Sequence, residues 1–320
     1  MKLEDIKNIT VLGSGIMGHG IAQSFLMGGY PVTLYDISEP ILATAKAHVK
    51  KNLELFFKSD LIKEEDIEAC LGKLTTTTDL EKAVCEADFI VEAAPEDLNL
   101  KQGLFEKIES FCSENAIIAS NTSSLTLKEI GERVKRKSRL VVTHWFNPPH
   151  IVPTVEVVKN EGTSDETADT AYGLMEKIKK SPVKINWEIP GFIVNRIQIA
   201  MVREVLNLHK IGVASAADID RAVRGSMGFR LASIGPLLTI DLAGVKLWRN
   251  VCANLLPQIE SGITPPAALD DLVAKGNDGI KSGKGFYDYT VDFSEEGLDK
   301  AIEQRDQEFL NRLKNLYLEK

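Results

Sequence analysis

Two spacings of apolar residues alternate along the first half of the chain. A β-branched run at residues 8–12 stops at Gly13-Ser14-Gly15, and residues 16–28 then carry Ile16, Met17, Ile21 and Phe25 at helical spacing. Gly28-Gly29 closes that helix, and residues 31–35 (PVTLY) read as a second buried strand. A long charged helical stretch (41–57, then 63–71) leads to a polar strand at 74–78. Strands at 88–93, 116–120, 140–143 and 152–158 follow, with helices at 98–112 and 167–179. Strands alternating with helices predict an α/β fold with a doubly wound, mostly parallel sheet.

The pattern changes at Pro190-Gly191. Residues 192–211 repeat apolar positions every 3.6 residues, and nothing downstream alternates like a strand. Helices are predicted at 218–223, 236–256 and 265–275, with one charged amphipathic helix at 294–320. The expected division is residues 1–189 for the α/β domain and residues 190–320 for a smaller all-α domain.

Composition narrows the function classes. The chain has 320 residues, and 38 Lys and Arg against 46 Asp and Glu give a formal charge of −8. Neither part is basic, which argues against nucleic acid or a membrane surface as partner. The four cysteines (Cys70, Cys85, Cys112, Cys252) form no C-x-x-C pair and match neither a disulfide framework nor a zinc site. Glu4 and Asp5 precede the first apolar stretch, unlike a secretory signal, and the membrane-like stretch at 231–240 is too short to span. A cytoplasmic protein acting on a small molecule is expected.

The first turn suggests the cofactor. Gly13-Ser14-Gly15-Ile16-Met17-Gly18 is G-x-G-x-x-G, directly after a strand and opening a helix, the context of a Rossmann-type dinucleotide site. Gly13 permits the tight turn, Gly15 lets a pyrophosphate approach the backbone, and Gly18 lets helix and sheet pack closely. The helix's unpaired N–H groups and positive end then face the phosphates. Asp36, at the end of the second strand, is placed to accept hydrogen bonds from the adenosine ribose. Its charge repels a 2′-phosphate and Ile37, Ser38 and Glu39 offer no cation for one, so NAD is expected over NADP.

Hydride transfer to NAD requires a group that takes the alcohol proton, and histidine titrates in the useful range. His19 lies in the cofactor turn, His48 and His209 in helices, and His150 in a proline-rich loop. His144 is placed differently, just past the strand at 140–143, where an open α/β sheet forms its ligand crevice. Glu156 interrupts the apolar run Val155, Val157, Val158, and a buried carboxylate needs a partner. A returning strand brings it beside His144, where it fixes the imidazole tautomer.

VLGSGIMGHGIAQ, VEAAPEDLNLKQGLF, ASNTSSL, HWFNPP…VEVV, PGFIVNR and GKGFYDY occur in this order. Over nearly its whole length the chain resembles the 3-hydroxyacyl-CoA dehydrogenase family. The resemblance implies a catalytic pair at His144 and Glu156, ligands for the substrate hydroxyl at Ser123 and Asn195, and cofactor-ribose contacts at Glu96 and Lys101. It also implies a homodimer. Read alone, Ser123 suits a helix cap before LTLKEI and Asn195 a cap or buried amide.

One stretch departs from the acyl-CoA pattern. Where those members carry a short Gly-aromatic-Pro-x-Gly-Pro loop, this chain has Gly228-Phe229-Arg230-Leu231-Ala232-Ser233-Ile234-Gly235-Pro236. With Asn147-Pro148-Pro149 and Pro153, this is similar to the branch holding lambda-crystallin (L-gulonate 3-dehydrogenase) and carnitine dehydrogenase, whose substrates are free acids. Arg230 suits a substrate carboxylate, or else a structural ion pair. Lys50, Lys51, Lys58 and Lys63 suit CoA phosphates, or else a solvated helix face. The expected reaction is the interconversion of an L-3-hydroxyacyl-CoA and its 3-ketoacyl-CoA by hydride transfer. The alternatives are the same chemistry on a free 3-hydroxy acid, and a non-catalytic NAD-binding or structural protein.

Overall fold

The computed structural model describes residues 1–289 and 295–318. Its strands are β1 (Ile9–Leu12), β2 (Val32–Tyr35), β3 (Leu74–Thr77), β4 (Phe89–Glu92), β5 (Ile117–Ser120), β6 (Leu140–Trp145), β7 (Thr154–Val158) and β8 (Ser181–Ile185). They form one sheet in the order β3-β2-β1-β4-β5-β6-β7-β8. The first six run parallel, β7 returns antiparallel to β6, and β8 runs parallel to β7. This is the Rossmann-type doubly wound sheet that the alternation predicts, extended at one edge by two strands.

The helices of this part are α1 (Gly18–Met27), α2 (Glu39–Lys58), α3 (Glu64–Leu71), α4 (Leu80–Val84), α5 (Leu98–Phe111), α6 (Leu127–Ile130) and α7 (Asp165–Lys177). Two apolar cores sandwich the sheet. One joins Ile21, Phe25, Leu42, Val49 and Leu174 from α1, α2 and α7 to Val11, Leu34 and Val155. The other joins Val84, Phe105, Ile108 and Leu127 from α4, α5 and α6 to Leu12, Ile90 and Val142. With both faces covered, β1 and β4–β6 are buried along their whole length and mostly apolar, not alternating.

β8 escaped the periodicity reading because Pro182 lies inside it; at a sheet edge the missing N–H costs no ladder bond. β6 extends two residues beyond its predicted end, so His144 lies within the strand and not past it.

The chain divides into two compact units, Met1–Phe192 with Arg305–Lys320, and Ile193–Gln304. The second is helical: α8 (Val194–Lys210), α9 (Ala216–Val223), then helices at Pro236–Ala243, Val245–Leu255 and Ala267–Ala274. The single helix expected over 236–256 is two, because Gly244 adopts φ +99 between them. The expected all-α domain of 190–320 also needs correction at its end. The terminal helix, Glu295–Leu313, carries Leu310 and Leu313 into a cluster with Phe56 and Ile151 of the first unit. Its last residues therefore belong there. Ser294, Glu319 and Lys320 of the predicted tail helix fall outside the described residues.

Gly18 tests the first turn. A Cβ at this position sits 1.7 Å from the Gly13 carbonyl oxygen, a backbone atom. Gly18→Ala should lower stability by about 1–3 kcal/mol in urea unfolding, the range of a steric lesion in a packed turn.

Candidate active site

The dinucleotide turn is assembled as expected. Gly13 holds φ +91, and a Cβ there would lie 2.6 Å from the Ala93 carbonyl oxygen. Gly15 is the opposite case, with nothing within 4 Å of its Cβ position. That open backbone, just ahead of the N-terminus of α1, is where a pyrophosphate fits. Ile16 is 72% exposed, so the turn presents it outward, whereas Met17 is half-buried against the first apolar core. Asp36 lies just past β2, and its Oδ2 accepts from Ser14 N (2.8 Å) and Ser14 Oγ (2.9 Å). The carboxylate expected at the ribose is thereby tied to the glycine turn. His19 Nδ1 donates to the Gly15 carbonyl at 2.7 Å, fixing its tautomer, and burial pushes its pKa down.

A second cluster lies at the ends of β4 and β5. Glu92 is fully buried. Its Oε1 accepts from Lys101 Nζ (2.6 Å) and Ala94 N (2.7 Å), and its Oε2 from Ser120 Oγ (2.6 Å). Lys101 Nζ also donates to Ala94 O (3.3 Å) and pairs with Glu96 Oε2 (3.2 Å). Glu96 Oε1 then accepts from Thr122 Oγ1 (2.5 Å), Ser123 N (3.1 Å), Ser124 N (3.1 Å) and Ser124 Oγ (2.8 Å). Burial alone would raise the Glu96 pKa. The Thr122 and Ser124 hydrogen bonds and the Lys101 charge outweigh it and hold the carboxyl at about 2.

This geometry changes the reading of Lys101. Its ammonium is 1% exposed and its three N–H groups face Glu92, Ala94 and Glu96, so it supports Glu96 from behind. Glu92 was missed, although it ends the apolar run Phe89-Ile90-Val91 as Glu156 interrupts its own. The helix cap considered for Ser123 is supplied by Thr126, which accepts from Glu129 N in a capping box. Ser123 is left half-buried in the loop that Glu96 holds.

The residues expected to form an acid–base pair are brought together by strand register. β6 and β7 pair antiparallel with His144 opposite Glu156. His144 Nδ1 lies 2.7 Å from Glu156 Oε2, with the imidazole 5% exposed and the carboxylate fully buried. The short contact places the proton on Nδ1 and leaves Nε2 with its lone pair. Phe146 packs edge-on against the imidazole at 4.6 Å between centroids, and Phe192 lies 5.5 Å away. Asn121 Oδ1 accepts from Trp145 N, tying the next loop to the same strand end.

A family model described as the 3-hydroxyacyl-CoA dehydrogenase NAD binding domain matches residues 8–188, and the family's C-terminal domain matches 191–289. The chain belongs to the 3-hydroxyacyl-CoA dehydrogenase family. It is an NAD-dependent oxidoreductase of the class acting on CH–OH groups. The mitochondrial hydroxyacyl-coenzyme A dehydrogenase of Rattus norvegicus is 35% identical over 291 residues, covering 89% of this chain and 91% of the relative. The 5-formyl-3-hydroxy-2-methylpyridine 4-carboxylate 5-dehydrogenase of Mesorhizobium japonicum is 30% identical over 285 residues, with coverages of 89% and 91%. A solved structure of a dehydrogenase for that pyridine carboxylic acid, an NAD+-dependent dismutase, superposes with a TM-score of 0.90 at 28% identity. It covers 98% of this chain and 100% of its own.

Two further residues expected at the site lie in the second unit. Asn195 is half-buried in the first turn of α8, whose N-cap is Ile193, so the amide is not the cap. Arg230 is exposed in the short helix Phe229–Leu231, with Nη2 3.4 Å from Ser226 Oγ and no ion pair among the described residues. In the GKGFYDY segment, Tyr287 donates to Asp220 Oδ2 at 2.6 Å, which ties the segment to α9. Lys50, Lys58 and Lys63 are exposed near α2. Among the described residues no helix is long and apolar enough to cross a membrane.

Lys101→Met leaves the Glu92 carboxylate buried without its cation and should cost about 3–5 kcal/mol in chemical unfolding. Adding Glu92→Gln should recover part of that loss, because the double variant buries no unpaired charge. Glu96 gives an acid signature. Because its folded pKa lies below the ordinary 4.5, its stabilisation is complete above that value and disappears as pH falls toward 2. Glu96→Gln should flatten that limb of a stability-against-pH profile.

Proposed function

We propose that this dehydrogenase interconverts an L-3-hydroxyacyl-CoA and its 3-keto form, with His144 as the proton carrier. The observation that carries this reading is the buried His144–Glu156 contact of 2.7 Å, built at a register pair of two strands. NAD, when bound, supplies the hydride acceptor. His144 Nε2 takes the hydroxyl proton in oxidation and returns it in reduction. Glu156 accepts from Nδ1–H, holds the ring plane, and stabilises the imidazolium that forms. A non-catalytic protein has no need of such a pair.

The remaining roles follow the family correspondence. Ser123 and Asn195 hydrogen-bond the reacting oxygen as its charge develops. Gly13, Gly15, Ile16, Met17 and Gly18 present the turn to the pyrophosphate, and Asp36 and Glu96 hold ribose hydroxyls. Lys101 acts through Glu96. Phe146 and Phe192 keep water from the imidazole.

A second reading, the same chemistry on a free hydroxy acid, is favoured by Arg230. Its guanidinium has no carboxylate partner among the described residues and stands where acyl-CoA members carry a shorter loop. The Mesorhizobium relative is named for a free acid, a pyridine carboxylate, although the group it dehydrogenates is a formyl carbon and not a secondary alcohol.

We also infer a homodimer formed through the second unit. Leu206 and Ile219 are the large apolar side chains buried there among the described residues, while Phe229, Leu237 and Leu242 are each more than 70% exposed. A helical unit with this much outward apolar surface is stabilised by a second copy. The free cysteines suit a reducing compartment such as the cytoplasm.

His144→Gln should lower kcat by at least about a hundredfold, the scale of a lost general base, while NAD affinity stays within about twofold. Retained turnover overturns the assignment. Substrate class is decided by NADH formation from 3-hydroxybutyryl-CoA against 3-hydroxybutyrate, L-gulonate and carnitine. Activity on the CoA ester alone supports the first reading. A free-acid substrate whose KM rises in Arg230→Ala supports the second.

A further inference from the structure

The turn joining β6 to β7 borders a cavity of about 410 Å³ inside the first unit, within the ~300–1,000 Å³ typical of small-ligand sites. Two of its lining residues, the buried His150 and the half-buried Lys180, are polar groups with no part in the hydride chemistry. His150 is 8% exposed, and neither ring nitrogen has a hydrogen-bond partner. Lys180 donates from Nζ to the Pro149 carbonyl (2.6 Å) and the Val152 carbonyl (3.0 Å), and lies over the Trp145 ring. Those bonds use two of its three N–H groups.

The lining indicates what would satisfy them. Lys73, Lys177, Lys179 and Lys180 border the cavity against one acid, Asp66, which favours an anion. Met27, Phe56, Leu61 and Leu313 supply an apolar wall. His150 is held neutral, its pKa pushed down to about 3 by burial, so it offers one N–H donor and one acceptor. Burial brings Lys180 down to about 7, so an incoming anion would also restore its charge.

We propose that this cavity is a second binding site, distinct from the one at His144, for a short-chain monocarboxylate. The carboxylate accepts from the third N–H of Lys180 and from the His150 ring N–H, and the hydrocarbon tail lies against Leu61 and Leu313. Inorganic phosphate could meet the two donors, but it would leave the apolar wall without a partner. The turn that Lys180 grips connects the strands of His144 and Glu156, so the ligand rests on the support of the catalytic pair.

The test is calorimetric titration of the full-length protein with hexanoate, with 1-hexanol and inorganic phosphate as controls. Hexanoate should bind saturably with one site per chain, at least tenfold tighter than either control. Lys180→Met should weaken it at least tenfold, and Leu61→Trp, which fills the cavity, should abolish it. His144→Gln should leave it unchanged, which separates this site from the catalytic one. Absence of saturable binding, equal affinity for hexanol or phosphate, or persistence in Leu61→Trp overturns the proposal. Should Lys180→Met fail to fold, wild-type protein with [ε-13C]lysine gives a separate readout. The lysine signal that titrates near neutral pH should move to higher pH on adding hexanoate, and a signal that does not move overturns the assignment.

Discussion

A carboxylate that folding removes from water has to be met by a cation or by several hydrogen-bond donors, and this requirement shapes the C-terminal edge of the sheet. Two glutamates there are fully buried, Glu92 on β4 and Glu156 on β7. Glu92 is met by Lys101, Ser120 and Ala94 N, and Glu156 by His144. Neither carboxylate tolerates movement of its partners, because an unpaired buried charge costs several kcal/mol. The consequence is local rigidity where the chemistry needs it. Lys101 fixes Glu96, Glu96 fixes the loop of residues 122–124, and the β6–β7 register fixes the imidazole.

The same requirement explains why part of the site was legible in the sequence. A charged residue inside a valine run signals a buried pair, and for Glu156 the signal worked because a histidine stood twelve residues earlier on a strand that could turn back. Glu92 carried an equal signal but went unread, because its partner lies on the following helix and not on a strand. Lys101 was drawn toward the cofactor by family correspondence, whereas its burial places it behind Glu96. His150 and Lys180 gave no signal at all. A histidine after two prolines and a lysine in a basic cluster both look solvated, and the sheet edge that buries them forms through the unforeseen strand β8.

The fold was legible where periodicity and turn residues agree. The glycine turn, the parallel strands and the change at Pro190-Gly191 all satisfy local preferences that the tertiary structure reinforces. Prediction failed where a local preference was overridden. Pro182 is tolerated inside β8 because the strand lies at the edge, and the helix expected over 236–256 breaks at a glycine that helical spacing ignores. The last residues of the terminal helix were assigned to the wrong unit because an amphipathic pattern says that one face will be covered, but not which surface covers it. Leu310 and Leu313 choose Phe56 and Ile151.

Net charge and local charge also separate here. A chain with a formal charge of −8 binds an anionic dinucleotide. Exposed surface charges are screened over roughly 8–10 Å in salt, so the total matters little at the phosphates. The local feature suited to a phosphate is the N-terminal end of α1, where Gly15 leaves the backbone open beside Ser14 and its partner Asp36. The acidic total is spread over solvated helix faces such as that of α3, whose first turn is Glu64, Glu65 and Asp66. The same argument applies to substrate choice. A CoA ester and a free acid are both anions, and bulk charge cannot distinguish them. The distinction has to come from where individual cations stand, which is why the proposed free-acid reading turns on Arg230, exposed in the short helix Phe229–Leu231.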